Sequence, residues 1–167
     1  MVRVRGRVGQ NAAVRVTARV DYAVRAATML ATAAAAGEGP VKGDRLAAAQ
    51  GIPAKFLENI LGELRQSGLV RSQRGADGGY WLALPPEEIT VADVIRAVEG
   101  PLASVRGERA EALDYPEGTG ALQEVWVALR ASLRSVLETV TLADVASGTL
   151  PAHVRRLVDD PEAWQPH

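Results

Sequence analysis

The sequence predicts a mainly α-helical fold with one small β-hairpin, arranged as a winged helix-turn-helix domain followed by a long C-terminal helix. The chain has 167 residues and is 47% hydrophobic but only 4% aromatic, so Ala, Val and Leu must supply its core. Alanine is the best helix former, which favours helices. Apolar residues recur with a helical period in most segments, and a glycine-bearing loop between two short alternating runs is typical of a hairpin.

Composition excludes several classes of function. The chain has no cysteine and only two histidines, His153 and His167, so disulfides, cysteine-bound metals and a Ser–His catalytic pair are not expected. Adjacent carboxylates such as Glu87 and Glu88 do not face each other on a helix, so an acid/base pair is not expected either. We predict a protein that is not an enzyme.

The distribution of charge points to a polyanionic partner for the first half of the chain. Residues 1–85 hold 12 Lys and Arg against 6 Asp and Glu, whereas residues 86–167 hold 7 against 14. This asymmetry suggests nucleic acid. No apolar run approaches the roughly 20 residues of a membrane span, and no secretory signal is visible. We expect a cytoplasmic protein that does not contact a membrane.

The first helix is predicted to begin after Thr17. Residues 1–13 lack a helical period and are interpreted as a disordered basic arm. Thr17 can cap the helix, and the segment 36–40, "AGEGP", ends it. One apolar face is expected, formed by Val20, Val24, Ala27 and Ala31.

Two further helices with a tight connection predict a helix-turn-helix. Leu46, Ala47 and Ala49 suit a short helix that ends at Gly51, and Pro53 suits the first position of the next helix. That second helix carries a regular apolar face, and Gly68 with Leu69 resembles a glycine C-cap. A connection of about three residues matches the DNA-binding motif. The expected face is Leu57, Ile60, Leu61 and Leu64.

A hairpin follows directly, in the segment "RSQRGADGGYWLAL". Its glycines match neither nucleotide-binding loop, and no helix follows to point N–H groups at a phosphate. A helix-turn-helix followed by a hairpin is a winged helix. This arrangement favours the phosphate backbone of DNA over a bound nucleotide as the partner of the loop. Arg74 is then placed to enter a minor groove. The alternative is a hairpin whose glycines serve only the turn. The predicted wing residues are Ser72, Arg74, Gly75, Gly78 and Gly79.

The second helix of the motif presents polar groups opposite its leucines. Lys55 suits phosphate or guanine, Glu58 can accept from cytosine, and Asn59 can pair with adenine. An ordinary solvated surface is the alternative. Phe56 is open between a core position and a contact beside phosphate.

The second half of the chain adds a helix, a loop and a long helix. Thr90 can cap a helix whose buried side carries Val94 and Val98, and residues 100–119 are interpreted as a loop. The long helix needs a partner for its apolar stripe, which is either a second copy of the chain or its own domain. Trp126 with Tyr115 could also line a small pocket, although a core position is the simpler reading. The stripe, interpreted as the dimerisation surface, is Leu122, Val125, Trp126, Leu129, Leu133, Val136 and Leu137.

Three segments resemble the family of IscR, NsrR and CymR, the Rrf-two type of bacterial transcription regulators: "VRVTARVDYAVRAATMLA", "GPVKGDRLAAAQGIPAKFLENILGELRQSGLVRSQRGADGGYWLALPPEEITVADVIRAVEGP" and "TLADV". The likeness is close from Val14 to Pro101 and looser to Val145. It implies a dimeric winged-helix regulator on an inverted-repeat operator. Residues matching the family's recognition helix, wing and phosphate-contacting helix start are Pro53, Ala54, Lys55, Phe56, Glu58 and Asn59, then Arg74 with Gly75, Gly78 and Gly79, then Thr17 and Arg19.

Two departures from the family pattern limit what the resemblance implies. Asp77 stands where the family has glycine, which places a negative charge on the wing. Many relatives bind an iron–sulfur cluster through three cysteines and sometimes a histidine, and none of the matching residues is a soft ligand for iron. We therefore expect no cluster, while an unidentified small-molecule effector stays possible. The matching positions are approximately Gly107, Leu113, Gly120 and Gln123.

Taken together, the sequence predicts a homodimer that binds double-stranded DNA and represses transcription. The alternative is a winged-helix module that binds protein and not DNA. Members of this family usually begin at the position of Val14, so residues 1–13 are either a basic arm or an extension absent from the natural protein. The predicted division is an arm at 1–13, a DNA-binding domain at 14–100, a loop at 101–119, a dimerisation helix region at 120–146 and a tail at 147–167.

Overall fold

The computed structural model describes residues 16–166, so the predicted arm at 1–13 lies outside the described residues. Seven helices and one hairpin make up this part of the chain, in agreement with the predicted class. Two short 3-10 turns, at 86–88 and 110–112, lie between these elements, and a third, at 161–164, follows the last helix. The elements are α1 (Ala18–Ala35), α2 (Gly43–Gln50), α3 (Ala54–Gln66), β1 (Val70–Gln73), β2 (Gly79–Leu82), α4 (Val91–Glu99), α5 (Ala121–Leu137), α6 (Leu142–Ser147) and α7 (Ala152–Val158).

Helix α1 is the centre of the core. The Thr17 side chain accepts a hydrogen bond from the Val20 amide at 3.2 Å, which is the predicted N-cap. Three of the four predicted face residues are buried, and Val24 is half-buried. Leu30, at 1% exposure, lies on the same buried surface. The helix contacts α2, α3, α4, α6 and β2, so every layer of the domain packs against it.

Helices α2 and α3 form the predicted helix-turn-helix. Gly51 ends α2 in the left-handed conformation at φ 61°, which favours glycine. The amide of Leu69 donates to the Leu64 carbonyl at 2.9 Å and that of Gly68 to Arg65 at 3.1 Å, as in a Schellman cap. Pro53 is the N-cap of α3 and not its first residue, one position from the prediction. The predicted apolar face of α3 is fully buried.

The hairpin is antiparallel, with Val70 opposite Leu82 and Gln73 opposite Gly79. Val41, just before α2, extends it by a single bridge, in which its backbone exchanges hydrogen bonds of 2.9 and 2.8 Å with Tyr80. This bridge fixes the hairpin beside the helix-turn-helix and was not anticipated from the sequence.

Helices α4 and α6 repeat one local design. Thr90 and Thr141 each cap their helix in a capping box with the aspartate three residues on, Asp93 and Asp144. The two caps lie side by side, because the Val91 amide donates to Val140 and the Leu142 amide donates to Ile89, both at 2.9 Å. Helix α6 also packs on α1.

This packing differs from the predicted division of the chain. Leu142, at 0% exposure, joins the core cluster of the winged domain. The range 120–146, predicted as a dimerisation region, therefore ends in a helix that belongs to the core of the winged domain. The chain leaves the domain in α5 and returns to it in α6.

The segment from 101 to 120 is irregular, as predicted, but packed. Leu102, Ala110 and Leu113 are buried, and the turn at 110–112 contacts α5. His153 on α7 lies within 2.9 Å of both the Thr139 hydroxyl and the Ser135 carbonyl, which ties α7 to the end of α5. Between residues 16 and 166, no helix is both long enough and apolar enough to span a membrane.

Candidate nucleic-acid interface

Helix α3 divides into a buried and an exposed side at its N-terminal end. Ala54, Lys55, Glu58 and Asn59 are exposed, as predicted, while the leucines face the core. The Lys55 ammonium lies 3.1 Å from the Glu58 carboxylate. This pair is open to solvent and therefore weak, so Lys55 can exchange Glu58 for a phosphate or base at small cost. The geometry suits the reading of base edges by the first turns of a recognition helix.

Phe56 is held from the side by α1. Its ring meets Tyr22 edge to face, with centroids 5.8 Å apart, and 38% of the residue is exposed. The guanidinium of Arg25 lies over the other ring at 5.5 Å and donates to the Gln50 side chain at 2.9 Å. Phe56 is therefore a half-covered support for α3 that still presents an edge outward. Only the Tyr22–Arg25 spacing of three residues hinted at this cluster.

The wing consists of β1, β2 and the loop 74–78. Arg74 is exposed where the loop begins, and Gly75 takes a φ of 109°, which non-glycine residues rarely adopt. A Cβ at Gly75 would meet nothing within 4 Å, so the space outside this turn is open. Arg74 and Gly75 are thus accessible from solvent, and their predicted contact with DNA stays a prediction.

Glycine is required at positions 78 and 79 for a different reason, which is lack of space for a side chain. A Cβ at Gly78 would lie 2.2 Å from the Gln73 carbonyl oxygen, and one at Gly79 would lie 2.6 Å from the Val41 oxygen. Their close approach is to the protein's own backbone. The open alternative, that wing glycines serve the turn, therefore accounts for these two positions, and nothing in their geometry requires DNA.

Ser72 and α3 are linked by a side-chain contact. The Arg65 guanidinium donates to the Ser72 hydroxyl at 3.2 Å, which joins the end of the recognition helix to the first strand of the wing. The hydroxyl retains its own proton for a second partner. Ser72 is half-buried, and its predicted contact with DNA stays a prediction.

Thr17 and Arg19 are both occupied by carboxylates. The Thr17 hydroxyl donates to Glu99 on α4, and Arg19 pairs with Glu63 on α3. These contacts connect α1 to its two neighbours. The Arg19 pair is half-buried, and Glu63 occupies only part of the guanidinium, so this side chain could meet a phosphate through its other N–H donors or by leaving Glu63. The predicted phosphate role of the two residues stays a prediction.

The predicted dimerisation surface lies on α5 and is open. Within the described chain, no residue of α5 is buried, although the helix has 17 residues. Leu122 is 40% exposed and Val125 52% exposed. We refer to the seven predicted residues, Leu122, Val125, Trp126, Leu129, Leu133, Val136 and Leu137, as the apolar stripe. The other five are half-buried, so its own domain covers the apolar stripe only in part.

The positions that match cluster ligands in relatives form an ordinary protein contact here. The Gln123 side-chain amide donates to the carbonyls of Glu111 at 3.2 Å and Leu113 at 2.8 Å, and Leu113 is buried. Gly107 lies in a tight turn at φ 82°. Gly120 is the N-cap of α5. Two glycines, a leucine and a glutamine offer no thiolate, and thiolates are what hold an iron–sulfur cluster, so these residues do not fit one. No group of three His, Cys, Asp or Glu side chains able to hold a metal occurs among residues 16–166.

Trp126 and Tyr115 meet through a hydrogen bond, and Trp126 is half-buried and not a core residue. The Trp126 indole donates to the Tyr115 hydroxyl at 2.7 Å, and Arg106 lies 5.7 Å from the Tyr115 ring. These contacts fasten the loop to α5. A separate cavity lies one turn further along α5, lined by arginines, and the sequence did not reveal it.

Comparisons with known proteins agree with this architecture. Residues 16–148 match the Rrf2 family, described as iron-dependent transcriptional regulators. A protein of Mycobacterium tuberculosis strain H37Rv named as an HTH-type transcriptional regulator is 57% identical over 151 residues, which cover 90% of this chain and 92% of the relative. The transcriptional regulator CymR of Bacillus subtilis is 40% identical over 68% of this chain and 77% of its own.

Solved structures lead to the same family. CymR, described as the global cysteine regulator of B. subtilis, superposes with a TM-score of 0.69 at 33% identity over 82% of this chain and 99% of its own. IscR of T. potens superposes with a TM-score of 0.64 at 34% identity over 92% and 93% of the two chains. The alternative of a protein-interaction module without DNA binding is therefore not supported. The chain belongs to the Rrf2 family and is a DNA-binding transcription regulator.

Proposed function

We propose that the protein acts as a homodimeric repressor that binds an inverted-repeat operator and works without an iron–sulfur cluster. The observation that carries the proposal is the apolar stripe of α5, whose residues are exposed or only half-buried in the single chain. A second copy of the same helix would cover it, since a two-fold pair presents identical surfaces to each other. Two recognition helices would then face DNA.

The inverted repeat follows from that symmetry. A two-fold dimer places its α3 helices in related orientations, which suits half-sites about one helical turn apart. Arg74 on each wing would reach the neighbouring minor groove, where negative potential is focused. A dimer bound in this way excludes other proteins from the same DNA, so repression requires nothing beyond binding.

Independence from iron is supported by the donor set. The sequence contains no cysteine, and Gln123 already bonds two carbonyls at the matching position. Protein purified under nitrogen after growth in iron-rich medium should contain no iron or acid-labile sulfide. A brown protein with about two or four irons per chain, as in a [2Fe–2S] or [4Fe–4S] cluster, would contradict this part of the proposal.

The wing prediction is tested with Arg74→Ala. Genomic fragments retained by the purified protein supply the operator, and fluorescence anisotropy supplies the affinity. We expect the variant to lose about 1–3 kcal/mol of operator binding if Arg74 meets base edges. Arg156→Ala, which removes an equal charge from exposed α7, is the matched control and should leave the affinity unchanged. Equal losses in both variants would show a general charge effect and contradict the wing contact.

A further inference from the structure

Four arginines converge on a cavity of about 330 Å³ between α4, the loop after it and α5. Ligand pockets in proteins begin at about this volume. Arg96 comes from α4, Arg109 from the loop, and Arg130 and Arg134 from α5. We call this cavity the arginine cleft and define it by six charged lining residues, Arg96, Arg109, Glu111, Arg130, Arg134 and Glu138.

Each glutamate in the arginine cleft is shared by two arginines. Glu111 pairs with Arg130 and lies 3.9 Å from Arg109, while Glu138 pairs with Arg96 and accepts from Arg134 at 2.9 Å. The cleft thus already holds two carboxylate groups on guanidinium donors, and both belong to the chain itself.

Both carboxylates stay ionised. The pKa of Glu111 lies below its usual value because of a backbone hydrogen bond and the Arg130 side chain. The pKa of Glu138 is lowered by hydrogen bonds from Arg96 and then Arg134. Even so, positive charge is in excess. Four guanidinium groups face two lining carboxylates, an excess of two, which falls to one when Asp93, 3.6 Å from Arg96, is counted.

The spare donors match an incoming anion. A guanidinium has five N–H donors in a fixed fork that fits a carboxylate with two parallel bonds. The glutamates leave most of these donors available. Glu111 is about half exposed, so its carboxylate can turn into solvent when a competing carboxylate arrives.

We propose that the arginine cleft is an effector site for a small dicarboxylate, whose two carboxylates replace Glu111 and Glu138 as partners of the four arginines. The class follows from the cleft itself, which is arranged for two carboxylate groups and carries surplus positive charge. One bound dianion would supply the two carboxylates that the four guanidinium groups lose when Glu111 and Glu138 turn away, so the arginines would stay paired.

The site is placed to act on α5. Arg130 pairs with Glu111, and Gln123 holds the backbone of Glu111 and Leu113, so this turn is fastened to α5 at both ends. Exchanging Glu111 for a ligand removes one of these fastenings. Arg96 lies on α4, which packs against α3. The regulatory part of the inference rests on the proposed function, because a changed α5 would alter the spacing of two recognition helices in a dimer.

The test is calorimetric titration of the full chain with succinate and with glutarate at constant ionic strength. Acetate, phosphate and chloride serve as probes of other anions. We expect saturable binding of at least one dicarboxylate, and about tenfold weaker binding by Arg134→Gln, which removes a charged donor. Arg155→Gln on α7 is the matched control and should bind as the parent does. Glu111→Gln should bind several-fold more tightly, since it removes an internal competitor.

Several outcomes would overturn the site. Absence of binding by both the parent and Glu111→Gln would exclude it, as would equal affinity for acetate or phosphate. Binding that Arg134→Gln leaves intact would place the ligand elsewhere. Operator affinity is measured separately, first without ligand. Failure of that measurement rejects the proposed function and leaves the calorimetry valid, whereas an operator affinity unchanged by saturating dicarboxylate would overturn only the regulatory part.

Discussion

Helices α1 and α5 have nearly equal lengths and opposite surroundings. Helix α1 has 18 residues, of which seven are buried, and α5 has 17 residues, of which none is buried within the described chain. Both carry an apolar face with a helical period. The apolar face of α1 packs against its own domain. The apolar face of α5 is exposed or half-buried, and the helix contacts the loop mainly through polar side chains.

This difference separates two uses of the same sequence pattern. A helical period reports that a face will be covered, but it does not report by what. The contacts of α1 are local to one chain and should contribute to stability at any protein concentration. The apolar stripe of α5 should contribute only when a second copy is present, so its effects should depend on concentration.

The largest effect is expected in α1. Leu30→Ala removes a side chain that is 1% exposed and should lower the free energy of unfolding by about 2–5 kcal/mol, through lost burial and the cavity left behind. Urea unfolding followed by circular dichroism measures it. Leu122→Ala on α5 is the matched control, and its smaller effect should vary with protein concentration. A concentration-independent loss of the same size in both variants would break the comparison.

A second variant addresses the apolar stripe directly. Val125→Asp places a charge on a residue that is 52% exposed in the single chain, so the monomer should fold normally. Burial of that charge in a dimer should weaken association by about 100-fold or more, which corresponds to roughly 3 kcal/mol. Light scattering after size exclusion gives the association state.

The control for this variant lies on the other side of the same helix. Ala131 is exposed and about half a turn away from the centre of the apolar stripe. Ala131→Asp introduces the same side chain and should preserve the dimer. Dissociation by both variants would show that helix propensity, and not the stripe, is responsible, and a dimeric Val125→Asp would remove the stripe as the interface.

The smallest effect concerns how α5 is fastened to the loop. Trp126→Phe deletes the hydrogen bond to Tyr115 and should cost about 0.5–1.5 kcal/mol. Tyr115→Phe removes the same bond from the other side, so the double variant should cost less than the sum of the two. Hydrogen exchange of the amides at 110–113 reports the loosening. Strict additivity would show that this bond does not couple the two residues.

Much of the fold could be predicted because its signals are local. The caps at Thr17 and Thr90 and the glycine ends at Gly51 and Gly68 depend on residues within about five positions of each other. The hairpin also pairs residues along one short stretch of chain, from Gln73 with Gly79 to Val70 with Leu82. The predicted start of α3 was one residue too early, because Pro53 is its N-cap and Ala54 its first residue. A helix boundary depends on the turn before it as well as on propensity. The exposed face of α3 was predictable from the leucines opposite it.

The site could be predicted only in part, because residue type does not reveal what a residue faces. Gly78 and Gly79 were interpreted as contacts to DNA, yet their close neighbours are Gln73 and Val41 of the same chain. Thr17 and Arg19 were expected to face phosphate and are engaged by Glu99 and Glu63. Each of these partners except Gln73 lies far away in sequence.

By itself, the sequence determined the helix periods, the caps, the wing and the absence of cysteine, since these depend on spacing and on residue chemistry. Tertiary structure alone decided that α6 returns to the core at Leu142 and that the arginine cleft exists. Arg96 and Glu138 are 42 positions apart, and only the path of the chain through α5 brings their charges together. Hydrogen bonds within a helix join residues four positions apart and therefore follow from local sequence. Contacts between distant elements depend on how those elements pack around the core.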